Sequence, residues 1–465
     1  MTALMHLRDA LGWLQGAHLV ARVDQADTAI TRVHTDSRTL QPGDLFVALK
    51  GERFDANTLL AEAQQRGAAA AVCHVGASAN APGLPCIQVP DTQRALGQLA
   101  THWRAQFTLP LIAVTGSNGK TTVTQMVAAI LQAHLPDGAA YSTRGNLNNE
   151  IGVPLTLLGL RAQHRMAVVE LGMNHPGEIA VLAAMAQPTV ALVNNAQREH
   201  LEFMHTVEAV AQENGAVINA LDASGTAVLP ADDAYADLWR KLAGRRTVRE
   251  FSMEPHDAHT DRLACISARW DSGAWQVHAR GMYAELNYRL AVAGRHNVKN
   301  SLAAAACALA AGVSAAAIEQ GLAAFLPVKG RSRAQLVQVG AHRCTVVDDT
   351  YNANPDSVHA AIDVLAELPG PRLLVLGDMG EVGHQGPQFH TEAGRYAKAR
   401  GIEHLKTLGE LAACASAVFE GAQHYASMES LIPAVQSELP HVASALVKGS
   451  RFMRMERVTE ALHGT

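Results

Sequence analysis

Residues Leu111-Ile-Ala-Val-Thr-Gly-Ser-Asn-Gly-Lys-Thr-Thr122 constrain this chain more than any other stretch. The apolar run reads as a buried strand and the glycines as a tight turn. Behind them Val123, Met126, Val127, Ile130 and Leu131 recur at helical spacing. A strand, a glycine turn and a helix start bring backbone N–H groups close to phosphate oxygens with no Cβ in the way. The helix dipole adds partial positive charge, Lys120 adds a full one, and the Thr121 hydroxyl suits Mg²⁺. Gly116, Ser117, Asn118, Gly119, Lys120, Thr121 and Thr122 are therefore expected to grip the phosphates of ATP. The general phosphate-loop pattern has a glycine five residues before Gly119. Here Val114 stands there, with Gly116 inside it, so the loop is a short variant.

At 465 residues the chain is too long for one ordinary core and suggests two to four domains. A net charge of −5 argues against nucleic acid as the main partner, since phosphate backbones need a basic face. No apolar stretch is long enough to span a bilayer, and the acid-bearing N-terminus does not read as a signal peptide. The six cysteines are scattered with no C-x-x-C pair, the usage of a reduced compartment, so a cytoplasmic location is expected and no zinc site.

Three α/β units fit the pattern, with boundaries at residues 1–105, 106–327 and 328–465. In the first, Val33–Leu49 reads as two strands joined by a Pro42-Gly43 turn. In the second, strands such as Met166–Val169 and Val190–Val193 alternate with helical stretches, the signature of parallel βαβ units. Short alternating strands broken at Asp271-Ser-Gly273 suggest an antiparallel insert between Arg262 and Leu290. Alanine-rich Asn300–Ala311 is helical by propensity, and Leu326–Arg331 reads as a hinge. In the third, Val346-Val347 and Leu373–Leu376 are strands, and Asn354-Pro355 starts a helix with a cap and a first-turn proline. Val447–Arg451 would open the C-terminal helix.

Polar residues collect where strands end, which is where open parallel sheets bind ligands. Glu170 emerges from Met166–Val169 as a natural Mg²⁺ ligand, since that ion takes few carboxylates plus phosphate oxygens. His200 follows the next strand and could ligate a metal or orient a carboxylate. Asn146, Asn148 and Asn149 crowd between two helical segments, where amides suit a peptide or sugar-phosphate substrate. Asn297 and Asn300 would share one helical face, one turn apart, toward a base edge. Asp349, Asn352 and Asn354 end another strand, where ribose hydroxyls are plausible partners. Plain turns, caps and solvated surface would use the same residue types.

Taken together these stretches resemble the Mur ligases, the ATP-dependent amide-forming enzymes of peptidoglycan precursor synthesis. The short loop Thr115–Thr122, Glu170, His200, Gly294-Arg-His-Asn297, Asn300 and the Arg331 region occur in the family's order. Asn146–Pro154, Asp349–Pro355 and Leu376–Gly383 resemble the branch that adds D-alanyl-D-alanine. The Asp-Asn-Pro-Arg motif of the diaminopimelate-adding branch is missing. The resemblance implies a three-domain α/β architecture with a central P-loop ATPase-like parallel sheet and a Rossmann-like C-terminal domain. It implies ATP and Mg²⁺ as cofactors, and UDP-N-acetylmuramoyl tripeptide and D-alanyl-D-alanine as substrates. Nothing in the sequence demands more than a monomer, and no membrane insertion is expected. Lys120, Glu170 and His200 would be catalytic, with Thr121, Glu170 and His200 holding metal. Asn297 and Asn300 would lie on the adenine side, and Arg331 and Asp349 would reach the nucleotide. Ser37 and Arg38 would bind the uridine diphosphate. Asn146, Asn148, Asn149, Asn352 and Asn354 would meet the other substrate groups.

Two positions depart from the family. Many members carry a lysine downstream of the histidine whose carbamate orients metals, and Asn214 occupies that position here. Glu213 is the expected source of the missing negative charge, unless the second metal is held more weakly. Asn57 stands where a histidine is common. Folylpolyglutamate synthetases share the ATP core but lack a uridine-binding N-terminal domain. A nucleotide-driven switch is the alternative from another class, although the guanine-reading Asn-Lys-x-Asp signature is missing.

Overall fold

The computed structural model describes residues 3–20, 25–255, 261–271, 273–340 and 342–462. Among them are three main sheets carrying helices. The first contains β1 (His18–Val20), β2 (Arg32–His34), β3 (Asp44–Val47), β4 (Ala70–His74) and β5 (Cys86–Val89), ordered β1-β5-β4-β3-β2. The two strands read around Pro42-Gly43 are β2 and β3. They pair in parallel, Val33 opposite Leu45, so the segment joining them is a crossover and not a hairpin.

The central sheet holds β6 (Leu111–Thr115), β7 (Ala140–Ser142), β8 (Met166–Glu170), β9 (Val190–Val193), β10 (Thr226–Pro230), β11 (Thr247–Ser252), β12 (Arg262–Asp271), β13 (Ala274–Gly281) and β14 (Ala284–Leu290). Their order is β14-β13-β12-β11-β10-β9-β6-β8-β7. Every pairing is parallel as far as β12, and β13 and β14 complete the edge antiparallel. The suspected insert therefore extends the main sheet. Ser272, at its first turn, lies outside the described residues. Because β6 has β9 on one side and β8 on the other, the strand order reverses at β6. The carboxyl ends of these three strands flank one crevice, the usual ligand position in such sheets.

Helices α1 (Lys120–His134), α2 (Glu178–Ala186), α3 (Val207–Asn219), α4 (Arg295–Ala310) and α5 (Ala315–Ala324) cover the sheet. The alanine-rich helix starts at Arg295, earlier than propensity suggested, because Gly294 takes a positive φ that turns the chain into it. Its small side chains let it bury nearly all round against α1 and the sheet. Helix α5 also packs on α1, and its Gly321 sits where a Cβ would lie 2.7 Å from the Ile130 backbone nitrogen. Gly321→Val should therefore lower stability by about 1–3 kcal/mol, the usual cost of overpacking, read as a reduced thermal midpoint.

The third sheet comprises β15 (Arg333–Val339), β16 (His342–Asp349), β17 (Arg372–Gly377), β18 (His404–Leu408), β19 (Gln423–Tyr425) and β20 (Ser444–Lys448), ordered β15-β16-β20-β17-β18-β19. Only β15 runs antiparallel to its neighbour. Helices α6 (Pro355–Ala366) and α7 (Gly386–Ala399) pack on it. Asn354 caps α6 by accepting from Ser357 N–H at 2.8 Å, with Pro355 at the first position, as read from the sequence. Val447–Arg451 does not open the last helix directly. A short 3-10 turn, Arg451–Met453, precedes the helix Glu456–Leu462.

Candidate active site

The phosphate loop leaves β6 at Thr115 and enters α1 at Lys120. Val114 is fully buried and paired in register with both neighbouring strands, so the strand runs one step further and the loop is shorter. Gly119 has φ +83°, and a Cβ there would lie 2.5 Å from Asn300 Oδ1 and 2.7 Å from Asn194 Nδ2. Neither the conformation nor the space admits a side chain.

The loop is shaped by side chains that follow β9 and by α3. Gly116 N–H donates to Asn214 Oδ1 at 2.8 Å and Asn118 N–H to Asn195 Oδ1 at 2.8 Å. Gln197 accepts from the Asn118 amide at 2.6 Å. Asn214 therefore performs a task that needs no charge: its carbonyl orients the first loop amide from a buried position. Glu213 does not supply a replacement charge. Its two oxygens accept from Gly177 N–H and Ile179 N–H, both at 2.8 Å, so it caps α2 and faces away from the cleft. The expectation placed on Glu213 is corrected accordingly. Asn57 is likewise structural, donating to Ala48 O and accepting from His74 N–H.

A cleft of about 690 Å³ opens above the loop, lined from both the central and the third sheet. Lys120 folds back over its own turn, donating to Gly116 O at 2.6 Å, Ser117 O at 3.0 Å and Glu199 Oε1 at 2.8 Å. Thr121 Oγ1 donates to Glu170 Oε1 at 3.1 Å, and Asn148 Nδ2 donates to the same oxygen at 2.7 Å. Glu170 is almost wholly buried. A hydroxyl and a carboxylate in contact at the mouth of a phosphate loop are the donor set that Mg²⁺ shares with nucleotide phosphates. Among the described residues no group of three His, Cys, Asp or Glu side chains forms a metal cage. Phosphate oxygens would have to complete the coordination.

Of the other residues singled out, Asn146, Asn149, Asn297, Asn300, Arg331, Asp349, Asn352 and Asn354 also line the cleft. Their bonding differs from what spacing suggested. The asparagine cluster lies between β7 and the short helix Gly152–Leu157, not between two helices. Within it Asn149 caps that helix by accepting from Gly152 N–H at 2.9 Å, which leaves Asn148 aimed at Glu170. Asn300 donates to Asn297 Oδ1 at 3.0 Å and accepts from Asn194 Nδ2 at 3.0 Å beneath the loop, so it braces Gly119, while Asn297 donates to Ala293 O at 2.7 Å. Both Asp349 oxygens are engaged, one by Lys448 Nζ at 2.6 Å and one by Ser332 N–H at 2.9 Å. Burial would raise the Asp349 pKa, but Lys448 outweighs it and holds the carboxyl below its ordinary value. Arg331 donates to Thr121 Oγ1 at 3.1 Å and stacks over Tyr351 at 3.9 Å. Asn354 donates to Asn118 Oδ1 at 2.9 Å. Ser37 and Arg38 are not brought to this cleft. Ser37 is buried in the first unit, and Arg38 is exposed and clamps Asp36, whose carboxyl its hydrogen bonds hold down at about 2.

His200 is held between two carboxylates, Nε2 3.5 Å from Glu199 and Nδ1 2.5 Å from Glu381 of the third unit. Burial alone would lower its pKa. The bonds and charges of Glu199 and Glu381 win and push it up to about 9. Nδ1 is buried with no hydrogen-bond partner despite its closeness to Glu381, so the ring keeps a nitrogen that could meet the metal expected at His200. A raised folded-state pKa stabilises the protein fully below the ordinary histidine value of about 6.5. That contribution disappears as pH rises through about 9. The thermal midpoint should thus fall more steeply between about pH 7 and pH 10 in the wild type than in His200→Gln.

Glu199 escaped the sequence reading, although it adjoins His200. It is 7% exposed, and Lys120 is its closest partner. Burial raises the Glu199 pKa, but the Lys120 charge and then His200 pull it below the ordinary glutamate value. The only available signal was an acid beside a histidine after a strand end. Arg198 was also missed. It pairs with Asp356 of α6 at 2.7 Å and Glu392 of α7 at 3.0 Å, over the Phe389 ring.

Comparison with known proteins agrees with this geometry. Three family models match: Mur ligase family, catalytic domain, over residues 29–104; Mur ligase middle domain over 114–308; and Mur ligase, glutamate ligase domain, over 332–451. The UDP-N-acetylmuramoyl-tripeptide–D-alanyl-D-alanine ligase of Escherichia coli K12 is 39% identical over 99% of this chain and 98% of its own length. A crystal structure of MurF from Acinetobacter baumannii superposes with TM-score 0.88 at 32% identity, covering 99% of this chain and 98% of that one. MurF ligase from Thermotoga maritima in complex with ADP gives TM-score 0.81 at 25% identity, covering 93% and 97%.

Proposed function

The chain belongs to the Mur ligase family, and from that premise we propose that it joins D-alanyl-D-alanine to a UDP-N-acetylmuramoyl tripeptide at the expense of ATP, in peptidoglycan precursor synthesis. One observation carries the reading. The phosphate loop, Glu170 and the Asn148 amide meet Arg331 and Asn354 of the third unit across a single cleft. A two-substrate ligation driven by a nucleotide needs this convergence, because phosphoryl donor, acyl group and amine must be held together.

In the reaction the tripeptide's terminal carboxylate takes the γ-phosphoryl group, giving an acyl phosphate and ADP. The dipeptide amine attacks the acyl carbon and phosphate leaves. Each step gathers negative charge, so preorganised donors supply most of the rate. The backbone amides of Gly116–Thr121 and the Lys120 ammonium grip the phosphates. Thr121 and Glu170 would hold Mg²⁺, which neutralises phosphate charge when bound. Asn148 keeps the Glu170 carboxylate oriented. Arg331 reaches over Thr121, and Lys448, ordered by Asp349, faces the same cleft. Residues 1–105, with Ser37 and Arg38, are assigned to the uridine diphosphate end, away from the chemistry. Residues 106–327 and 328–465 carry the cleft between them.

Among the described residues no helix is long and apolar enough to cross a membrane. We place the enzyme in the cytoplasm, where ATP and nucleotide-linked precursors are available. The cleft is assembled within one chain, which suits a monomer. The test is phosphate release from ATP with tripeptides carrying diaminopimelate or lysine at the third position, each with and without D-alanyl-D-alanine. Release that requires both peptide substrates supports the reading. Release indifferent to the dipeptide would favour a nucleotide-driven switch.

A further inference from the structure

Glu199 stands beside the phosphate loop with its carboxylate almost wholly buried. Oε1 receives the Lys120 ammonium at 2.8 Å, while Oε2 is buried with no hydrogen-bond partner. Lys120 cannot serve Glu199 and a nucleotide's phosphates equally. Once the lysine turns to the phosphates, Glu199 keeps only His200 Nε2, 3.5 Å from Oε1, and Oε2 stays unpartnered beside a polyanion, an arrangement that favours recruiting another cation.

The structure shows what kind of cation this carboxylate accepts, since the group bound to it is a primary ammonium on an alkyl chain. The reaction brings in a second one. The acyl acceptor presents an α-ammonium, and its nitrogen must come within about 3–3.5 Å of the acyl carbon. That carbon carries the phosphoryl group held by Lys120, so the attacking nitrogen enters the cleft that Glu199 lines beside Lys120. We propose that Glu199 binds the α-ammonium of the D-alanyl-D-alanine acceptor and aims its nitrogen at the acyl phosphate. In the step it serves, a nitrogen–carbon bond forms and the carbon–oxygen bond to phosphate breaks, the electron pair leaving with phosphate. The ammonium first gives one proton to solvent, which frees the lone pair that attacks, and the second proton goes to the departing phosphate as the amide forms.

The inference rests on the ligase reading above, and steady-state kinetics in each substrate test it, with the ATP dissociation constant measured separately by calorimetry. Loss of one charge-assisted contact should raise the dipeptide KM of Glu199→Gln about 30-fold near neutral pH. The tripeptide KM and the ATP dissociation constant should change less than about threefold, and Glu199→Asp should fall between. The dipeptide penalty should shrink as pH passes the acceptor's amine pKa of about 8, because a neutral amine no longer gains from the carboxylate. A merely structural role would not produce that pH dependence. An unchanged dipeptide KM, a penalty independent of pH, or ATP affinity and dipeptide KM worsening together would overturn the proposal. If Glu199→Gln does not fold, Glu199→Asp carries the same comparison. A wild-type protein that forms no amide would overturn the ligase reading itself, an outcome distinct from failure of the Glu199 role alone.

Discussion

Lys120→Met will lower kcat by at least about 10³-fold, the scale of losing a preorganised charge at a phosphoryl-transfer centre. It should also destabilise the protein, and the two effects have separable causes. Lys120 and Glu199 form an ion pair shielded from solvent on both sides. Removing one partner of a buried pair strands the other and costs about 3–5 kcal/mol. In Lys120→Met/Glu199→Gln no charge is stranded, so denaturant midpoints should recover most of the loss. Activity should not recover, because the phosphates still lack their cation. If the double variant stays as unstable as Lys120→Met, the pair does not account for the stability effect. If Lys120→Met retains more than about a tenth of wild-type turnover, the lysine is not the phosphate grip.

Arg198→Ala should lower kcat about 10- to 100-fold while nucleotide affinity stays near wild type, since misplacing groups across the cleft harms chemistry more than binding. The reason is the position of Arg198 in the segment after β9. Asn195 and Gln197 hold the phosphate loop, and Arg198 clamps Asp356 and Glu392 of the third unit. Arg198→Ala leaves the loop contacts intact but removes a forked, partly buried attachment between the units. Small-angle scattering with nucleotide and tripeptide should show a larger radius for Arg198→Ala, and Asp356→Asn should reproduce the change. A double-mutant cycle between Arg198 and Asp356 should give about 1–3 kcal/mol of coupling. Unchanged scattering and unchanged kcat together would rule out this clamp.

The phosphate loop was legible because its determinants are local. A strand ends, two glycines take conformations that other residues avoid, and a lysine begins a helix, all within a dozen residues. The capped start of α6 at Asn354-Pro355 was legible for the same reason. The asparagines were harder to read. An amide's ability to bond follows from its type, whereas its partner depends on which chain segments meet. Asn148 faces Glu170, Asn149 caps a helix, and Asn300 braces Gly119, whereas sequence placed the first two on the substrate and Asn300 on the adenine side of the nucleotide. Glu213 was misjudged similarly, since nothing near it in sequence reveals that the start of α2 lies against it.

The sequence by itself determined the phosphate-loop geometry and the family, because both are written in short contiguous stretches whose backbone geometry is set by neighbouring residues. Only the tertiary structure decided the charge pattern of the cleft. Glu199 and Lys120 are 79 residues apart, and Asn214 and Gly116 are 98 apart. Burial and pairing over such separations arise when β6, β9 and α3 pack together. That packing converts an unremarked glutamate into a shielded ammonium site, and an apparently defective lysine position into a brace for the loop.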